Sequence, residues 1–164
     1  MKVFVCSRGA VSKFTSKTGA THVLSLLDPG VRPYLHPKTN KDNWLLLHFE
    51  DNIEEFDPNS PTREHVTTIL NWSKLLPDDA ILLVHCEAGV SRSTAAALAI
   101  MIQHNGIEKL EECISNLLLV RPQACPNPLI TKWADEQLGC GGKLHAAAEV
   151  IANNKLNQLF KKWI

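Results

Sequence analysis

Residues 1–164 are expected to form an α/β domain with a single small central mixed sheet of about four to five strands flanked by helices. Three observations lead there. The periodic segments follow the order β–β–β–α–β–loop–α–α–α along the chain. The strand Ile81-Leu82-Leu83-Val84 is apolar on both faces, as a central strand covered on both sides must be. At 164 residues the chain buries an ordinary core, and no internal repeat or linker marks a second domain. Residues 143–164 read as a C-terminal helical extension.

Each element has its own justification. Lys2–Cys6 alternates and is β-branched enough for a first strand, whereas residues 8–20, polar with Gly9 and Gly19, read as a loop or an ill-defined helix. His22–Leu27 is a second strand, stopped by Asp28-Pro29-Gly30. A proline-rich connection, Pro33 to Lys41, leads to a third strand over Trp44–Phe49. After the acidic loop Glu50–Asn59, Ser60-Pro61 has the form of a helix cap followed by proline in the first helical position. The helix it opens carries Val66, Ile69 and Leu70 on one stripe and stops before Pro77-Asp78-Asp79. Ala95–Ile102, apolar almost all round, is a buried helix closed by Asn105-Gly106. Glu108–Leu119 is amphipathic with acidic residues in its first turn, Arg121-Pro122 ends it, and Asn127-Pro128 caps the next helix. Two amphipathic segments follow, Leu144/Ala147/Ala148/Ile151 and Leu156/Leu159/Phe160/Trp163.

Composition narrows the function classes. Seventeen basic and seventeen acidic side chains cancel, so the basic stripe that nucleic-acid binding requires is missing. No apolar run approaches the ~20 residues of a membrane span, and the short apolar start is not a signal peptide. Five scattered cysteines with no C-x-x-C argue against a disulfide framework or zinc site and for a reducing, cytoplasmic setting. No cofactor or metal is implied: His22, His36, His48, His65, His104 and His145 lack ligand spacing. The chain reads as a monomer.

The chemistry concentrates in His85-Cys86-Glu87-Ala88-Gly89-Val90-Ser91-Arg92-Ser93. A tight strand-to-helix turn points successive backbone N–H groups inward, and the helix behind it adds the positive end of its dipole. Such a turn is an anion cradle. Cys86 at its floor would be held as a thiolate by that field. Arg92 can clamp two phosphate oxygens with its planar fork, which a lysine, as a point charge, cannot reproduce. Glu87, Ala88, Gly89, Val90 and Ser91 contribute backbone amides, with Gly89 supplying a conformation costly to other residues. His85 points to the opposite face of the strand and orients the loop through ring N–H bonds to backbone rather than acting as a base. Ser93 either donates to the sulfur or is a plain helix N-terminal serine, and both can hold together.

This stretch matches the H-C-x-x-G-x-x-R-S loop of the cysteine-dependent protein tyrosine phosphatase superfamily at each defined position. The alanine before glycine and the serine before arginine resemble the dual-specificity branch, and Phe49-Glu50-Asp51 resembles the Phe-x-Asp of its small bacterial members. The resemblance covers roughly Val3 to Leu138 and implies the fold of those phosphatases, so that residues 1–164 would be a single phosphatase domain. It also implies a general-acid aspartate some thirty-odd residues before the cysteine. Asp51, 35 positions upstream in Phe49-Glu50-Asp51-Asn52, resembles that position, with Glu50 and Asp57 as rivals.

Arg121–Asn127 looks like the family's post-loop region, where Gln123 or Asn127 either positions water or serves a helix connector. Cys125 is a candidate redox partner of Cys86, whereas Cys6, Cys113 and Cys140 read as buried structural thiols. The expected activity is metal-independent hydrolysis of phosphotyrosine, with phosphoserine and phosphothreonine as further substrates, through a cysteinyl-phosphate. The brevity of the chain favours a shallow, tolerant pocket. The alternatives are a phosphatase of inositol phosphate, phosphoinositide or RNA 5′-phosphate, or a non-catalytic phosphate-binding module. The absence of lysine between Cys86 and Arg92 weighs against polyanionic substrates.

Overall fold

Four strands pair in one parallel sheet in the spatial order β1 (Lys2–Ser7), β4 (Ile81–Cys86), β2 (His22–Leu27), β3 (Trp44–His48). The computed structural model describes residues 1–32 and 41–160, with backbone only for residues 41 and 155–160. The proline-rich connection 33–40, with His36, and Trp163 lie outside the described residues, as do the side chains of Leu156, Leu159 and Phe160. The expected mixed sheet is corrected to a parallel one among the described residues. The reason is connectivity. Each strand is followed by a crossover segment long enough to return the chain to the same edge, and the turn-linked hairpins that make antiparallel pairs do not occur between these strands.

The two faces are covered unequally. Cys6, Val23 and Leu83 turn to one face, where α1 (Val11–Thr18) supplies Val11 and Phe14. Val5, Leu24, Leu26, Leu82, Val84 and Cys86 turn to the other. There they meet α2 (Arg63–Lys74), α3 (Arg92–Asn105), α4 (Leu110–Val120) and α5 (Pro128–Leu138). The alternation along β4 sends Cys86 to the helical side and His85 to the opposite one. At the centre of the helical layer lies α3, with all residues from Arg92 to Ile102 buried. Full burial of side chains such as Leu98 and Ile100 contributes roughly 1.5–3 kcal/mol each, so the helix that follows Cys86 is firmly seated.

Three local readings change. Residues 11–18 form α1, ended by Gly19 in the left-handed conformation. The cap of α2 is Thr62, not Ser60: its hydroxyl accepts from His65 N–H while the His65 ring accepts from Thr62 N–H, a reciprocal box. The hydroxyl of Ser60 instead donates to Glu54 O inside the acidic loop. The final helix, α6 (Lys143–Phe160), is held to α5 by buried Asp135, whose carboxylate accepts from the N–H groups of Gly142, Leu144 and His145. Among the described residues no helix is long and apolar enough to cross a membrane.

Candidate active site

The nine-residue stretch runs from the end of β4 through the turn of residues 87–91 into the start of α3, at the carboxyl end of the sheet. Its carbonyls are tied outward one after another. Glu87 O accepts from Arg8 N–H at 3.1 Å, and Ala88 O from Arg121 Nη2 at 2.7 Å. Gly89 O accepts from Arg121 Nε at 2.6 Å, and Val90 O from Cys125 N–H at 2.9 Å and from the Thr94 hydroxyl. A trans peptide sets its N–H opposite its C=O. Four outward carbonyls therefore turn the N–H groups of Ala88, Gly89, Val90 and Ser91 inward, and Gly89 N–H donates to Cys86 Sγ at 3.3 Å.

Gly89 cannot be replaced without disturbing this ring. Its φ is +69°, and a Cβ there would stand 2.4 Å from the carbonyl carbon and oxygen of Cys6 and 2.6 Å from Ser7 N. These are backbone atoms of β1, which cannot rotate away.

Cys86 is 1% exposed and sits at the floor of the turn. Ser93 Oγ lies 3.2 Å from its sulfur, so the hydroxyl is placed to donate to it. Arg92 is the first residue of α3 and is buried. Its Nη1 donates to Asp28 Oδ1 and to Phe49 O, each at 2.6 Å. Both bonds run through one terminal nitrogen. The Nε–H is buried without a hydrogen-bond partner among the described residues, which leaves an edge of the guanidinium for an acceptor.

Asp51 comes to the same turn from the loop after β3. Its Oδ1 accepts from Ser91 Oγ at 2.6 Å and from Asn127 Nδ2 at 2.9 Å. The rivals face elsewhere: Asp57 Oδ1 accepts from Asn59 N–H, and Glu50 Oε1 accepts from Asn59 Nδ2. Buried Asn127 serves as the expected helix cap and also reaches the Asp51 loop. Its Oδ1 caps α5 by accepting from Leu129 and Ile130 N–H, while its Nδ2 also donates to Asn52 O and so fastens the Asp51 loop.

His85 Nε2 lies 2.6 Å from Ser25 Oγ, which accepts from Trp44 Nε1–H at 2.7 Å. Besides its interaction with the backbone at Cys86, the ring thus also bonds a hydroxyl. With the indole donating to Ser25, the arrangement assigns the serine proton to Nε2 and the ring proton to Nδ1. Burial pushes the His85 pKa down to about 4; the backbone at Cys86 opposes this and the Arg8 charge reinforces it. Because the folded value lies below the ordinary 6.5, the contribution is complete above pH 6.5 and is lost as pH falls toward 4. Denaturant unfolding should show a stability loss on the order of 3 kcal/mol across that window, and His85→Asn should flatten the slope.

Cys125 is half-buried and unpaired, with burial raising its thiol and the Asp51 charge adding to the effect. Cys6, Cys113 and Cys140 are buried free thiols. Two residues of the site escaped the sequence reading. Asp28 looked like a strand stop, and Arg121 like the end of a helix before proline. A charged residue inside a turn motif was the only signal either offered.

The fold is similar to that of solved dual-specificity phosphatases. Human DUSP28 aligns over 84% of this chain and 92% of its own, with a TM-score of 0.63 and 20% identity. DUSP15 aligns over 90% of each chain, with a TM-score of 0.62 and 22% identity. PTPMT1, solved in complex with PI(5)P, aligns over 92% of this chain and 94% of its own, with a TM-score of 0.58 and 17% identity. No family model and no curated protein matches the sequence.

Proposed function

We propose that this chain is a single phosphatase domain, extended by residues 143–164, that hydrolyses phosphotyrosine and also phosphoserine or phosphothreonine in proteins without a metal. The observation that carries the reading is the pairing of an inward ring of amides around Cys86 Sγ with the buried, unpartnered Nε–H of Arg92. A phosphoryl group supplies acceptors for the inward N–H groups and for that Nε–H.

In this reading the Cys86 thiolate attacks phosphorus in line, forming the S–P bond as the P–O bond to the leaving group breaks. Asp51 gives its proton to the departing oxygen. The amides and Arg92 hold the three equatorial oxygens as charge spreads over them. Asp51, now a carboxylate, takes a proton from water as the water oxygen attacks phosphorus. The S–P bond breaks, inorganic phosphate leaves, and the Ser93 hydroxyl stabilises the returning thiolate through the 3.2 Å contact. His85, neutral and turned to the other face, takes no part in proton transfer.

Protein substrates are favoured because the rim of the turn carries Glu87 and no lysine, which suits a monoester better than a polyphosphate. The test is phosphate release from phosphotyrosyl, phosphoseryl and phosphothreonyl peptides, a phosphoinositide in vesicles, inositol hexakisphosphate and 5′-phosphorylated RNA. Phosphotyrosyl peptides should lead in kcat/KM by about tenfold or more, orthovanadate should inhibit competitively, and a chelator should change nothing. Faster turnover of the phosphoinositide would move the assignment to lipids, and turnover of none would leave a binding module.

A further inference from the structure

We infer that Arg121 is the positioning residue of the phosphate cradle, turning two successive peptide planes so that their N–H groups face the phosphoryl oxygens. The inference rests on the phosphatase reading and names the part of the site that sets its affinity for the transferring group.

Of the four carbonyls tied outward around the turn, those of Glu87 and Val90 are held by backbone N–H donors of Arg8 and Cys125. Those of Ala88 and Gly89 are held by the Arg121 side chain, through Nη2 at 2.7 Å and Nε at 2.6 Å. The Ala88–Gly89 peptide shows the consequence directly. Its oxygen bonds Arg121 on one side while its nitrogen donates to Cys86 Sγ on the other. By the same planarity the Gly89–Val90 peptide, drawn outward by Nε, aims Val90 N–H inward. The two bonds use adjacent nitrogens of one guanidinium, a two-point grip that fixes both planes together. The cation also polarises each peptide, so its N–H becomes the better donor to an anion.

The local chain explains how Arg121 arrives there. Pro122 forbids helical backbone at the preceding residue, so α4 ends at Val120 and Arg121 adopts φ −144°, ψ 80°. Its own N–H still closes on Leu117 O at 2.8 Å, which anchors its backbone to the helix end. The charge also reaches beneath the turn. Burial pushes the Cys6 thiol up to about 12, and Arg121 opposes that rise.

The test compares wild type, Arg121→Ala and Arg121→Lys in the full chain by orthovanadate binding, by the pH profile of Cys86 alkylation with iodoacetate, and by kcat and KM. Arg121→Ala should weaken vanadate binding and lower kcat/KM by about 10²-fold, as loss of oriented anion donors does, and should move the alkylation midpoint to higher pH. Arg121→Lys keeps the charge and stem and is the variant least prone to misfold. It should recover the alkylation profile in part but not the vanadate affinity, because one ammonium cannot hold both carbonyls. Wild-type vanadate affinity in Arg121→Lys, or an unchanged alkylation profile in a folded Arg121→Ala, overturns the inference. The binding and alkylation readouts need no turnover. A wild type that binds vanadate yet hydrolyses nothing therefore defeats the phosphatase reading alone, and one that binds no vanadate defeats both.

Discussion

Cys86→Ser should abolish turnover, by at least about 10⁴-fold, while an intact phosphotyrosyl peptide still binds with an affinity near that of wild type. The exchange keeps the side chain's size and leaves the amide ring, Arg92 and the Asp51 loop in place. What it removes is the proposed sulfur nucleophile, because a serine hydroxyl does not lose its proton in this pH range without a strong base. His85, the residue before Cys86, is on the other face and bonded to Ser25. In wild type, alkylation should fall first on Cys86, although it is 1% exposed, because its sulfur accepts from Gly89 N–H at the floor of the inward-facing turn. Retained turnover above about one part in a hundred, or faster labelling of Cys125, would remove Cys86 from the nucleophile's role.

Asp51→Asn should cut kcat by about 10²–10³-fold on alkyl and aryl phosphoesters of ordinary leaving ability. The asparagine can still accept from Ser91 through its amide oxygen, so the loop stays docked and KM should move little. The sign of the pH effect follows from the role. A general acid acts when protonated, so wild-type kcat should decline as pH rises, and Asp51→Asn should flatten the decline. An activated ester such as para-nitrophenyl phosphate needs less help in leaving and should lose less. Should Asp57→Asn behave this way instead, the acid has been misassigned; the bond of Asp57 to Asn59 N–H argues that it will not.

The bonds around Asn127 show how one side chain can serve a cap that the sequence marks and a contact that it does not. An asparagine before proline is a helix cap by local chemistry, and that reading needs only Leu129 and Ile130. That the same side chain spends its amide N–H groups on Asp51 and Asn52 follows from the packing of α5 against the loop after β3, a contact 76 residues apart. The sheet makes the same point from the other direction. The strand segments were legible from alternation and apolar runs, but alternation is blind to whether neighbours run parallel, so the direction of pairing had to come from the connections. Thr62 displaced Ser60 as a cap because a cap competes with every other acceptor in reach, and the Ser60 hydroxyl had Glu54 O available.

Alone, the amino-acid order determined the strand–turn–helix unit from Ile81 to Asn105 and, with it, the proximity of Cys86, Arg92 and Ser93. Those residues lie within one turn of chain, where bond geometry leaves few alternatives. Tertiary structure decided which distant groups complete the turn: Asp28 against Arg92, Asp51 against Ser91, and Arg121 against Ala88 and Gly89. The division has a physical cause. Local conformation is set by the steric and hydrogen-bonding preferences of neighbouring residues, whereas a pair 64 positions apart, such as Asp28 and Arg92, meets only after the core has packed.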